Sequence, residues 1–187
     1  MINSIDLPKS QARQLSKFVL ATEEYVKNLG PDLYPGTSGN SLTGRFFDYN
    51  YLNDLPGTIL LPILKPLFGP CVVLCWANTL RKGEGIKEHD HGVPRGPIPS
   101  RSTSAHIFLS GTRTGTFFRE NDGSFTKHEN VPGRLTYFPS HLRHYVPANP
   151  RKSIRVSLAM DIYPKRWWDI ECSRYYYGKE DSFYFID

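Results

Sequence analysis

Glu88-His89-Asp90-His91-Gly92 and Phe138-Pro139-Ser140-His141-Leu142-Arg143-His144-Tyr145 decide the reading of this chain, and Arg155-Val156-Ser157 follows eleven to thirteen residues after His144. In a β-strand, residues two apart point to the same side, so His89 and His91 face one cavity together while Asp90 faces away. His144 arrives from a separate strand after the Pro139 turn and closes the set. A mononuclear metal site of the facial type uses two histidines and one further ligand on one side of the ion, leaving the other side open. Neutral imidazole suits iron, copper, nickel and zinc alike, so the three rings nominate a metal site without naming its metal. Taken singly, a histidine is more often a surface or satisfied core residue, and His128 and His141 are read that way. An H-x-H, a distant His and an Arg-x-Ser in this order form a much rarer coincidence.

Arg155 and Ser157 share one face of the strand Ile154-Arg155-Val156-Ser157-Leu158-Ala159-Met160, whose other face is Ile154, Val156, Leu158 and Met160. An arginine turned toward a core is costly unless it meets an anion, and its planar fork matches a carboxylate. With a serine alongside, the pair predicts a buried carboxylate-bearing ligand near His144. The competing reading pairs Arg155 with Asp161 on the same face. Ser104, His106 and Phe108 share a face of another strand, where His106 is either a second contact to that ligand or an ordinary buried histidine.

Outward from these segments, turn residues separate short candidate strands at 72–80, 103–109, 115–119, 124–128, 134–138 and 153–161, the pattern of a sandwich or jelly roll. Asn121-Asp122-Gly123 is a hairpin turn between two of them. Leu15, Phe18, Val19, Thr22, Val26 and Leu29 recur at helical spacing, with Asp6 and Ser10 as candidate caps and Gly30-Pro31 as a stop, so one amphipathic helix opens the protein. The stretch 32–53 reads as a long loop with a short strand at 45–49. Pro62 and Pro66 predict a broken helix or turn over 58–68. The expected organisation is one domain over 1–187: a helical and loop extension at 1–69, a β core at 70–164 and an aromatic tail at 165–187 that wraps across it.

The chain has 187 residues, a net charge of +5 and a pI near 9.1, but its basic residues are scattered and form no nucleic-acid block. Three cysteines without a C-x-x-C support neither a disulfide framework nor a zinc knuckle, and a reducing, cytoplasmic setting is expected. No apolar run is long enough for a membrane span, and Asp6 and Lys9 stand where a signal peptide would be apolar, so a protein without membrane or nucleic-acid partners is expected. Aromatic residues make up 13%, many of them in Trp167, Trp168 and Tyr175-Tyr176-Tyr177, and are read mostly as core or barrel-capping rings.

Together these residues resemble the iron(II) and 2-oxoglutarate-dependent oxygenases of the double-stranded β-helix fold. The segment Cys75-Trp76-Ala77-Asn78-Thr79-Leu80-Arg81-Lys82-Gly83 leading into His89 and His91 is similar to the oxygenase-like sequences common in phage and marine microbial genomes, as is Phe138 to Val146 with its trailing Arg155-Val156-Ser157. The run from Arg155 through Asp161-Ile162-Tyr163-Pro164 also resembles the aspartyl/asparaginyl β-hydroxylase branch. The resemblance covers 72–164, about half the chain. It implies Fe(II) at His89 and His144, with 2-oxoglutarate held by His106 and Arg155. Ser157 and Ser104 are further candidates for the cosubstrate. The position usually held by a carboxylate is His91, so the third ligand is His91, a water or nothing, and Asp90 serves only if the strand is irregular.

Gly83 with His89-x-His91, and Gly133 with Pro139 and His144, also resemble the two cupin motifs, although the glutamate expected after the H-x-H is missing and His141 replaces a glycine. The expected fold is therefore mostly β, a double-stranded β-helix (jelly roll, cupin-like) preceded by a helix. The expected function is an Fe(II) and 2-oxoglutarate-dependent dioxygenase that uses O2 to oxidise a small molecule or an amino-acid or peptide side chain. A three-histidine cupin dioxygenase and a non-catalytic cupin-like binding protein are the alternatives. Substrate choice is assigned to 32–53, 93–102 and the aromatic tail.

Overall fold

The computed structural model describes residues 1–31, 42–91, 102–172, 176 and 178–187. Of the stretches assigned to substrate choice, 32–41 and 93–101 lie outside the described residues, as do Tyr175 and Tyr177.

The described chain is mostly β, with two antiparallel sheets. Its strands are β1 (Asn3–Asp6), β2 (Cys71–Leu80), β3 (Ile86–His89), β4 (Thr103–Ser110), β5 (Thr116–Arg119), β6 (Phe125–His128), β7 (Arg134–Pro139), β8 (His144–Val146), β9 (Arg155–Pro164) and β10 (Tyr184–Ile186). The larger sheet runs β1-β7-β4-β9-β2-β10 and the smaller β3-β8-β5-β6. Such a pair of facing sheets is the jelly-roll arrangement expected from the turn-punctuated strands.

Two helices, α1 (Lys9–Lys27) and α2 (Leu55–Phe68), cover the outer face of the larger sheet. Period-2 alternation sorts β2 and β9 accordingly: Val73, Cys75 and Ala77, with Val156, Leu158 and Met160, join Leu15, Val19, Leu60 and Leu64 in the main core. The opposite face carries Val72, Leu74, Trp76, Ala159 and Tyr163, which meet Trp168 and Phe183 of the tail. Every residue of β2 is buried, since it is covered on both sides.

Six of the predicted strands are present with shifted ends. The hairpin turn is also present: Glu120 N–H donates to Ser124 O at 2.8 Å, Gly123 N–H donates to Glu120 O at 3.0 Å, and Gly123 has φ 84°. The tail does return to the β core, through β10 paired with β2.

Four expectations are corrected. A strand, β1, precedes the helix, and Asp6 lies in it, bound to Arg134, instead of capping α1. Ser10 is inside α1, whose N-cap position is Pro8 with no side-chain bond. The expected strand at 45–49 is a 3-10 turn, Leu42–Arg45, followed by a further turn. The helix expected to break at Pro62 and Pro66 runs unbroken from Leu55 to Phe68, because both prolines lie on the exposed face, where water can satisfy the carbonyls that lose a donor.

Candidate metal centre

The site is a hollow between the two sheets. Its floor is set by register in the larger sheet: Ala159 of β9 pairs with Trp76 of β2 and His106 of β4, and Ser157 pairs with Asn78 and Phe108. Along β9 the inward residues are Arg155, Ser157, Ala159 and Asp161, so two small side chains leave space between two charged ones. The smaller sheet supplies Ile86, His89, Thr116, His144 and Val146 as the facing wall, and His91 joins them just past the end of β3.

His89, His91 and His144 come together, with one ligand atom from each within 4.8 Å of the others. β3 pairs with β8 so that His89 stands opposite His144, and His91 N–H continues the pairing by donating to Ser140 O at 2.8 Å. Behind each ring an acceptor faces Nδ1: Lys87 O at 2.9 Å for His89, Leu142 O at 2.9 Å for His144, and Asp161 Oδ1 at 2.6 Å for His91. A carbonyl or carboxylate oxygen only accepts, so each Nδ1 must carry the proton. The Nε2 lone pairs are thereby turned inward, and those of His89 and His91 lie 3.0 Å apart. Two facing lone pairs at that distance repel unless a proton or a cation stands between them.

Burial and then the neighbouring His91 hold the His89 imidazole near a pKa of about 4, and burial followed by His89 and His91 holds His144 well below the ordinary range. For His91 burial acts the same way, but the Asp161 carboxylate outweighs it and the net shift is upward. Two of the three rings are thus neutral and ready to bind an ion at neutral pH.

Arg155 is 1% exposed and lines the same hollow. Its Nη1 donates to Ser157 Oγ at 3.2 Å, its Nε has no hydrogen-bond partner, and its guanidinium lies 5.6 Å from the centre of the Phe108 ring. Among the described residues no carboxylate pairs with it. The alternative pairing with Asp161 is overturned, because Asp161 is occupied by His91. A charge so buried, with pKa pushed by desolvation down to about 10, is costly to hold without an anion beside it. Trp76 is a second unpartnered donor here: its ring lies 5.6 Å from that of His91, and its buried Nε1 has no acceptor.

The remaining candidates divide. His106 lines the hollow, with Nε2 3.5 Å from Thr116 Oγ1, and burial followed by Arg155 lowers its pKa to about 3, keeping it neutral. Ser104 is placed differently. It is fully buried outside the lining of the hollow, its hydroxyl 2.9 Å from both Asp161 Oδ1 and Ser140 Oγ, so it braces Asp161. Asp90 turns away toward Arg143 at 3.5 Å, as alternation predicts.

Sequence reasoning does not pick out Glu88, which accepts from Arg119 at 2.6 and 2.8 Å and from Arg143 at 2.8 Å. That cluster pins the residue before His89 to the residue before His144. Glu88 and Arg143 each directly precede a candidate ligand, which is the available signal.

Solved structures similar to this chain include a Pseudomonas putida prolyl-4-hydroxylase, with TM-score 0.60, 19% identity, and coverage of 87% of this chain and 92% of that one. SnoK, an alpha-ketoglutarate-dependent carbocyclase of nogalamycin biosynthesis, aligns with TM-score 0.63 at 14% identity, covering 87% and 80%. The viral collagen prolyl hydroxylase of Paramecium bursaria Chlorella virus-1, solved as its 2-oxoglutarate complex, aligns at 0.50 with 11% identity, covering 86% and 94%.

The fold is that of the 2-oxoglutarate oxygenases.

At identities this low the likeness carries the double-stranded β-helix architecture alone. No family profile and no curated protein sequence matches the chain. Among the described residues, no helix is long and apolar enough to cross a membrane.

Proposed function

We propose that the protein is a 2-oxoglutarate-dependent oxygenase that binds one Fe(II) through Nε2 of His89, His91 and His144. In this reading Arg155 and Ser157 hold the distal carboxylate of the cosubstrate and His106 lines its pocket. The observation that carries the proposal is the unpaired, buried Arg155 guanidinium opening into the same hollow as three inward-turned imidazoles. The oxygenase fold supports it.

When bound, Fe(II) and 2-oxoglutarate supply the oxidising chemistry, in which O2 and the cosubstrate are consumed, succinate and CO2 are released, and a C–H bond of the substrate is oxidised. The chain's own part is to bind, orient and exclude water. The carbonyls of Lys87 and Leu142 hold His89 and His144 in the ligating tautomer. Arg155 neutralises and aligns the incoming dicarboxylate by a bidentate contact, with Ser157 fixing the guanidinium. Phe138 and Trp76 wall the site, and Phe118 packs against Phe138 and His144, an apolar surround that strengthens these contacts. The finer placement near the aspartyl/asparaginyl β-hydroxylase branch, and a small molecule or amino-acid side chain as substrate, belong to this proposal on the resemblance of Arg155 to Pro164.

The all-imidazole ligand set favours one second reading, a three-histidine dioxygenase that needs no 2-oxoglutarate. The test is succinate release from 2-oxoglutarate with Fe(II) and a metabolite pool. The first reading expects release by the wild type and none by His144→Ala. Oxygen uptake without succinate would support the second.

A further inference from the structure

We propose that Asp161 is the carboxylate of this metal centre, acting one imidazole removed as the residue that positions His91 and lends it negative charge. The inference rests on the metal site just proposed and deepens it.

The position two residues after the first histidine, where the fold's usual motif has a carboxylate, is occupied here by the imidazole of His91. A three-imidazole set alone would leave a divalent ion with no anionic protein partner. The structure puts a carboxylate directly behind that ring: Asp161 Oδ1 lies 2.6 Å from His91 Nδ1, on a side chain only 14% exposed. It comes from a different strand, seventy residues away in sequence.

Two further contacts hold the carboxylate in this place. Ser104, opposite Asp161 in the β4–β9 register, places its hydroxyl 2.9 Å from the same Oδ1. Ser140, 2.9 Å from Ser104 Oγ, is also the residue whose carbonyl receives His91 N–H. Backbone and ring of His91 are thus fixed by one connected cluster, with Trp76 covering the ring from the side.

The consequence is chemical. His89 and His144 lean on neutral carbonyls, whereas His91 alone leans on a full negative charge. Hydrogen bonding from Nδ1–H to a carboxylate raises the basicity of Nε2 and compensates the ion's charge through the ring. Arg155 balances the other end of the strand and has no contact with Asp161.

The experiment is a calorimetric titration with Co(II) or Mn(II) of the wild type, Asp161→Asn and Asp161→Glu, with ¹⁵N NMR of labelled histidine and thermal melting of each. Asp161→Asn keeps shape and removes charge, so it should fold normally, bind the ion about 10- to 100-fold more weakly, and show loss of the pure Nδ1–H form of His91. Asp161→Glu keeps the charge and should bind more tightly than Asp161→Asn, although it fits less well. If Asp161 only fills space, the order of the two variants reverses, and that overturns the inference. Equal affinity of Asp161→Asn and wild type, with the His91 tautomer unchanged, overturns it as well. Failure of the wild type itself to bind either ion instead removes the metal reading from which the inference starts.

Discussion

His91 Nδ1 and Asp161 Oδ1 are 2.6 Å apart, while Asp161 and Arg155, on the same strand face, do not meet. Six residues of extended strand separate them, too far for the two charges to pair. Each is committed elsewhere, the carboxylate to the His91 imidazole and the guanidinium to Ser157 at the hollow.

That arrangement predicts how ion affinity depends on pH. The His91 pKa is raised, that of His89 is held near about 4 and that of His144 lies well below normal, so on acidification His91 takes a proton first. The ion must displace that proton. Affinity should be level above the His91 pKa, fall about tenfold per pH unit below it, and steepen near pH 4 as His89 joins. Titration of Co(II) at stepped pH measures this, and a level profile down to pH 5 contradicts it.

Arg155→Ala should leave metal affinity within a factor of two and weaken 2-oxoglutarate about 100-fold, as expected when one partner of a buried charged contact is truncated. Arg155→Lys should recover little, because an ammonium cannot reproduce the planar fork. Equilibrium binding of 2-oxoglutarate to the Co(II) form, without oxygen, separates this effect from turnover.

His91→Asp restores the common H-x-D spelling but places two carboxylates face to face. Alone it should bind the ion more weakly than wild type. Combined with Asp161→Asn it should regain affinity, and additivity of the two changes would show that the residues are uncoupled.

Away from the site, Glu23 of α1 accepts from Thr79 and Arg81 beside the end of β2 and from Lys27. Burial opposes its ionisation, but the hydrogen bonds from Arg81, Lys27 and Thr79 outweigh it and bring the pKa down from 4.5 to about 2. Its contribution is therefore complete above about pH 4.5 and is lost as pH falls through 2. Glu23→Gln should cost about 2–3 kcal/mol at pH 7, read by urea unfolding, and the gap should close toward pH 2.

What can be read from the chain follows the length of each element. β2, β4 and β9 are long enough for alternation to show, and the inward set of β9 is legible from its residues alone. β3 and β8 hold His89 and His144 in four and three residues, too few for a period to register, and stand out only through their histidines. β1 is exposed along its whole length and has no hydrophobic pattern to detect. Alternation puts Asp161 on the correct face but cannot name its partner, because sequence gives the side of a strand and not the competition among charges across it. The contact of Ser104 with Asp161 escapes the sequence for the same reason. The prolines of α2 mislead because a broken hydrogen bond matters little on a solvated face.

β9 carries Arg155 near one end and Asp161 near the other, six residues apart on one face, or roughly 20 Å at the usual rise of about 3.3 Å per residue. An extended strand hydrogen-bonded on both sides hardly stretches, so it works as a ruler that sets the span between the anion grip and the imidazole cluster. A protein measuring its ligand this way should discriminate among dicarboxylates by chain length, and adding one residue to β9 between the two marks would turn one of them into the helix-covered core.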